Sequence, residues 1–382
     1  MTPLSRIENP VSSVRREPYA AARSVSPKLH NYFAGKAARL SEVYGGIGAV
    51  PDAETIESMI NAAFWASLRR EEGYSPKISM AFLSPSQATD ELIFERPLRL
   101  DPGTLTRIAP AVERAGIHLG VWTDTDGGLL VWGAAGKIPK LCFVVEVAAP
   151  GLIVVKSRSG ASGKFVNVAV LEGDQIKMIN RQTSGAPKYP SLLTSLLGFE
   201  SSVSWAQAPT TFVRLAVAMR AHGHGGSLLV IPSETDSWRD SIMPPMRYAL
   251  SPAFAGMVQL NDSEPERAAA IIDAVAGLTA VDGAVVLTDR YEVVGFGAKI
   301  MRRKGHGLVE QVRILEPIEG GVDALAHPEQ LGGTRHLSAA QFVHDQHDTV
   351  ALVASQDGRF TIFEWSPKEG IVHAHCVETL LL

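Results

Sequence analysis

Apolar residues recur at three- and four-residue steps through residues 52–70. Ile56, Met59, Ile60, Ala63, Phe64 and Ser67 fall on one stripe there, which predicts an amphipathic helix with one buried face. Asp52 stands where a side-chain oxygen can cap the helix start, and Glu71-Glu72-Gly73 ends it. A second helix opens at Asp101-Pro102, a cap followed by proline at the first helical position. It carries Leu105, Ile108 and Val112 and stops at Gly116. Short apolar runs predict strands at 77–83, 117–122, 128–132, 140–147, 151–156 and 164–171. Residues 183–209 are richer in Ser and Pro and predict a connection with a short helix at 192–197.

The later pattern is different. Residues 211–221 predict a helix that ends in the glycine-rich turn 222–226, followed by a strand at 227–231. Residues 232–248 predict a loop. A helix at 265–280 uses Ile271, Ile272, Val275 and Leu278 as its apolar face, and strands follow at 284–287 and 291–296. Residues 301–333 are long, polar and irregular, a length uncommon in a compact domain unless the loop serves a site. A helix at 338–347 and a hairpin of 349–355 with 359–365 about Asp357-Gly358 complete the pattern. Residues 1–40 mix Pro, Ser and Arg with few apolar positions and predict a flexible arm. The division expected is therefore an arm over 1–40, one domain over 41–205 and another over 206–382. An internal echo links Asp126-Gly127-Gly128-Leu129-Leu130 and 151–157 with Asp282-Gly283-Ala284-Val285-Val286 and 349–355. Shared turn chemistry explains it as well as a duplication does.

Composition narrows the class. The chain has 382 residues, 46% of them apolar, enough for two ordinary domains. A net charge of −4 argues against a general binder of polyanions, so no nucleic acid and no membrane surface is expected as a partner. Two cysteines, Cys142 and Cys376, make no disulfide framework. The most apolar run, 141–155, is broken by Glu146 and Pro150-Gly151 and is too short for a membrane span. The first residues lack a secretory apolar core. Together these features predict a cytoplasmic location.

Two stretches carry chemistry. Gly332-Gly333-Thr334-Arg335-His336 reads as a loop opening a helix, where free N–H groups and the dipole favour anions and a guanidinium suits phosphate oxygens. Asp282-Gly283-Ala284 lies at a helix-to-strand junction, where a carboxylate can hold a divalent cation or accept a proton. In this order they resemble the DGA and GTRHR motifs of the diadenylate cyclase (DAC) domain. The resemblance spans roughly 210–365. It includes His222-Gly223-His224-Gly225-Gly226-Ser227-Leu228-Leu229-Val230-Ile231 and Leu352-Val353-Ala354-Ser355-Gln356-Asp357-Gly358. Two positions depart from the family's pattern: Leu337 stands for the second Arg of the triplet and Gln356 for a common Glu.

The resemblance implies an α/β fold, a DAC-type mixed sheet flanked by helices. It implies condensation of two ATP into cyclic di-AMP and two pyrophosphates, with Mg2+ or Mn2+. Each domain would hold one ATP, so a homodimer or higher homo-oligomer with facing domains is implied. Asp282, Arg335 and His336 take catalytic roles. Gly283, Ala284, Gly333, Thr334, Arg335, Ser355 and Gln356 bind substrate, and Asp282 and His336 hold the metal. The earlier half, with Phe64-Trp65-Ala66-Ser67-Leu68 and Arg69-Arg70-Glu71-Glu72-Gly73, resembles the DACNV domain. That likeness implies a smaller α+β sensor domain. A catalytically inactive nucleotide-binding sensor or an assembly module is the alternative.

Three other clusters are read as structural. Residues 159–165 lack the glycine spacing of a phosphate loop, and Phe165 stands where a hydroxyl should bind magnesium. His344 and His347 share an exposed helix face. His373 and His375 face one side of a strand and Cys376 the other, and two histidines do not by themselves make a structural zinc site.

Overall fold

The computed structural model describes residues 18–41, 46–71, 73–114, 116–158, 165–179, 208–258, 260 and 264–382. The expected helix at 192–197 and most of the glycine–serine loop at 159–165 lie outside them, as does the start of the expected arm. Among the described residues are six α-helices and two large mixed sheets. They form two compact units. One comprises the described residues up to Arg158 together with Leu171–Ile176, the other the remainder. The division thus comes earlier than residue 205.

The flexible arm is corrected from residue 20 onward. Ala20–Ser41 is helix α1, and Ala22, Val25, Leu29 and Phe33 are fully buried. Steps of three and four between small and apolar residues make a buried stripe, diluted in composition by Lys and Arg on the other face. Tyr19 stacks on Phe64 at 3.7 Å and its backbone N–H donates to Asn61 at 2.9 Å. Helix α2 (Ala53–Ser67) is capped by Asp52, which accepts from the Thr55 N–H at 2.7 Å. Helix α3 (Pro102–Ile108) is capped by Asp101 and tightens into a 3-10 turn at Ala109–Val112.

The first sheet contains β1 (Ile78–Phe82), β2 (Thr89–Arg99), β3 (His118–Thr123), β4 (Leu129–Lys137), β5 (Phe143–Ala149), β6 (Leu152–Arg158), β7 (Phe165–Glu172) and β8 (Gln175–Met178). Their order is β2-β4-β3-β1-β5-β6-β7-β8. Strand β2 was not legible as apolar alternation, because nearly every residue on this edge strand is exposed.

The second sheet follows helix α4 (Ala208–Ala221). It contains β9 (Gly226–Ile231), β10 (Tyr248–Phe254), β11 (Ala284–Thr288), β12 (Val293–Ala298), β13 (Val312–Leu315), β14 (Asp323–Ala326), β15 (Val350–Ala354), β16 (Phe360–Ser366) and β17 (Ile371–Cys376). Helices α5 (Pro265–Leu278) and α6 (Thr334–Asp345) complete it. The order is β10-β12-β11-β9-β15-β16-β17-β13-β14. Strands β9, β11 and β15 are buried throughout, because both faces are covered. Leu228, Val285, Leu352 and Ile362 pack with α4 and α5 on one face. Leu229, Val286, Val353 and Phe363 pack with Ala339, Phe342 and Val343 of α6 on the other.

The two sheets share one topology. In each, the first strand runs parallel to a strand reached through a helix (β1 with β3, β9 with β11). The next hairpin strand and an outer strand follow antiparallel (β4 and β2, β12 and β10). On the other side lie two antiparallel neighbours (β5 and β6, β15 and β16). A repeated arrangement is therefore present, but in a different register from the sequence echo. Asp126-Gly127 sits in the β3–β4 turn, whereas Asp282-Gly283 precedes β11. The second copy also differs at one step. Residues 138–142 join β4 to β5 directly, while residues 299–349 between β12 and β15 contribute β13, β14 and α6.

Candidate functional site

That inserted helix makes the site. An open cleft of about 1060 Å³ lies within the second unit. It is lined by Asp282, Gly283 and Ala284 from the start of β11, by Gly333, Thr334, Arg335 and His336 from the start of α6, and by Ser355 and Gln356 after β15. The residues singled out from the sequence thus converge from three separate segments. Lys299, Arg359, Asp357 and Ser227 line the same cleft.

Asp282 is 92% exposed at its side chain and pairs with Lys299 at 2.5 Å. The Lys299 hydrogen bond and charge hold its carboxyl below the usual carboxylate range, and Arg335 and Arg247 add to the effect. Lys299 was not found from the sequence. The pairing of β11 with β12 shifts register twice between Leu287–Val293 and Ala284–Ala298, so counting back from the turn does not place Lys299 beside Gly283. Gly283 itself has φ +115°, and a Cβ there would lie 2.5 Å from the Gly297 carbonyl carbon. Backbone packing demands this glycine irrespective of any ligand.

Gly333 occupies the N-cap of α6 without a side-chain cap. The first intrahelical donors are His336 N–H and Leu337 N–H, both to the Gly333 carbonyl. The N–H groups of the first turn before them are therefore the helix's anion-facing donors. Among the described residues Arg335 has no hydrogen-bonded or ion-paired partner, and its guanidinium stands beside the 222–226 turn. A Cβ on Gly225 would lie 3.2 Å from its Nη1. Gln356 Nε2 donates to the His224 carbonyl at 3.3 Å, and Arg220 Nε donates to the Gly358 carbonyl at 2.8 Å. The two glycine-bearing turns are thereby tied together. Arg359 is held by Asp357 at 2.7 Å.

His336, a metal ligand by the resemblance, lines the cleft with a largely buried ring. It is only 2% exposed, its ring meets Phe363 edge-on at 6.1 Å, and its Nε2 is buried without a partner. Burial pushes its imidazole down to about 4, with Arg359 and Arg335 adding and Asp357 opposing. Its Nδ1 side lies against Gly332, where an added Cβ would come within 2.4 Å. The ring is wedged against Gly332 at the start of α6, with Nε2 held away from solvent. Leu337 turns away from the cleft and packs with the apolar residues behind α6. Further along this helix Asp345 accepts from the Arg303 N–H at 2.8 Å and Gln341 Oε1 accepts from the Val309 N–H at 2.9 Å, pinning the inserted loop.

Residues 46–136 match the family described as "probable sensor domain DACNV". No curated protein matches the chain. A solved structure described as that of a hypothetical membrane-spanning protein from Bacillus cereus aligns at 16% identity and a TM-score of 0.29, over 49% of this chain and 71% of its own. So slight a likeness says nothing of this chain's function. Among the described residues no helix is long and apolar enough to cross a membrane.

Proposed function

We propose that the second unit binds ATP in this cleft, and that two copies facing each other condense two ATP into cyclic di-AMP with release of two pyrophosphates. The matched sensor domain would govern that reaction. The convergence of the Asp282–Ala284 turn, the uncapped start of α6 and the 355–356 turn on one open cleft carries the reading. Arg335, Lys299 and the α6 N–H groups supply donors for a polyphosphate. Asp282 is the most exposed carboxylate lining the cleft, and a hard divalent cation accepts such an oxygen alongside nucleotide phosphates. When bound, that cation would neutralise phosphate charge. Asp282 would be its ligand from the chain, with His336 lining the same cleft. Asp282 also stands ready to accept a hydroxyl proton, while Arg335 orients the phosphates in line for displacement.

A second reading has its own support: Leu337 packs into the core and Gln356 is used to hold the His224 carbonyl. These residues fit a module that keeps the nucleotide and has lost turnover. Incubation of the purified chain with ATP and Mn2+ or Mg2+, followed by mass identification of products, separates the two. Cyclic di-AMP from the wild type and none from Asp282→Asn supports the cyclase. ATP binding without product leaves the non-catalytic module.

A further inference from the structure

We propose a second, separate metal site in the same sheet: a zinc-class transition-metal cation held by Glu364, His373 and His375. Their ligand atoms lie within 4.8 Å of one another. The sequence shows only the two histidines, because the third donor comes from the neighbouring strand. His373 and His375 alternate along β17 and so share a face, with ring centroids 5.9 Å apart. Glu364 of β16 is the register partner of His373 and belongs to that same face. Cys376 packs on the opposite face with the core behind α6, so it is not a ligand.

The donor set is two imidazoles and one carboxylate, which suits zinc or a similar first-row ion. Glu364 and His375 are each 4% exposed, and a buried carboxylate requires a compensating charge. His375 Nε2 already lies 2.9 Å from Glu364 Oε1. Bond lengths of about 2.0–2.2 Å around a tetrahedral ion put ligand atoms roughly 3.3 Å apart, a small closure from the observed spacing. His373 Nε2 is 3.1 Å from Glu369 Oε2, the outer carboxylate that orients a ligating imidazole, which leaves Nδ1 for the metal. The nearest cation, Arg313, is already matched by Asp323 and by Glu369. The His373 side chain is 12% exposed and forms the entry side. Three protein ligands leave one position for water, so the ion ties β16 to β17 without closing its coordination.

The test uses the full chain stripped with a chelator. Zinc is titrated in competition with a chromophoric chelator, and cobalt(II) is added separately for its visible spectrum. The proposal expects one equivalent of zinc per chain, a higher Tm with zinc, and intense cobalt bands of a four- or five-coordinate site. His373→Gln and Glu364→Gln should each weaken zinc binding at least tenfold, while Asp282→Asn, in the cleft, should leave it unchanged. Zinc uptake equal in wild type and a folded His373→Gln chain would overturn it, as would loss of uptake in Asp282→Asn. Should both histidine-site variants fail to fold by circular dichroism, the wild-type spectrum decides: only weak, octahedral-type cobalt absorption sinks the site.

Discussion

Two exposed carboxylates line the cleft, Asp282 bonded by Lys299 and Asp357 by Arg359, and Arg335 adds a further cation to the same walls. Such an excess makes sense for a ligand that brings its own negative charge. Arg335→Ala should therefore remove a charge-assisted contact of roughly 1.5–3 kcal/mol, about ten- to a hundredfold in ATP affinity, read by calorimetry at fixed metal concentration. Unchanged affinity would place the phosphates elsewhere. Asp282→Asn keeps size and loses charge, so binding should persist while product formation falls by orders of magnitude. The buried imidazoles give a pH signature. His336 and His118 both have folded pKa values lowered to about 4 by burial, against about 6.5 in an unfolded chain. Between those values the unfolded state binds more protons, so stability rises with pH through the window and is lost as pH falls from about 6.5 towards 4. Melting temperatures measured from pH 7 to 4 should fall across that interval. A flat profile would mean that the rings are solvated.

At the scale of elements, α6 decides whether this sheet has a site. Its start depends on a glycine pair with unequal duties. Gly332→Ala puts a methyl on the His336 ring, whereas nothing lies within 4 Å of a Cβ at Gly333. Gly332→Ala should cost about 1–3 kcal/mol of stability, and Gly333→Ala should be nearly neutral in stability. Equal melting temperatures for the two variants would contradict the wedge role of His336. Leu337→Arg should lower stability as well, since the new cation would enter apolar surroundings. The start of this helix and the Asp282 turn were readable as motifs, and the strands with continuous apolar runs, β9, β11 and β15, were readable as period. Elements that defied pattern have physical reasons. Strand β2 is an exposed edge, β13 and β14 are four residues each, and β10 buries none of its residues. Helix α1 was hidden by its composition, since alanines and serines bury well on a helix face without reading as apolar. Lys299 and Glu364 were missed for one reason: each meets its partners across strands, and sequence distance does not report register.

At the scale of the whole chain, the same sheet topology occurs twice, and only the second copy carries residues 299–349 with α6. The first copy has in their place the short link 138–142 and so lacks the element whose free N–H groups would face a phosphate. The family match, residues 46–136, falls in the first copy, while the cleft belongs to the second. That placement also bears on stoichiometry. The cleft draws all its lining residues from one unit, and that unit presents a single Asp282 and a single Arg335. A ring closed from two nucleotides needs two such sets, each 3′-hydroxyl meeting the other's α-phosphate, so the cyclase reading requires encounter of two chains. Specific activity should then rise with protein concentration and level off once dimers predominate, with ATP and metal held constant. A mixture of Asp282→Asn and Arg335→Ala chains should not recover wild-type activity, because every facing pair would still lack one group on at least one side. Light scattering run in parallel should show dimers appearing over the same concentration range. Specific activity that stays constant down to concentrations where scattering finds only single chains would exclude the facing arrangement.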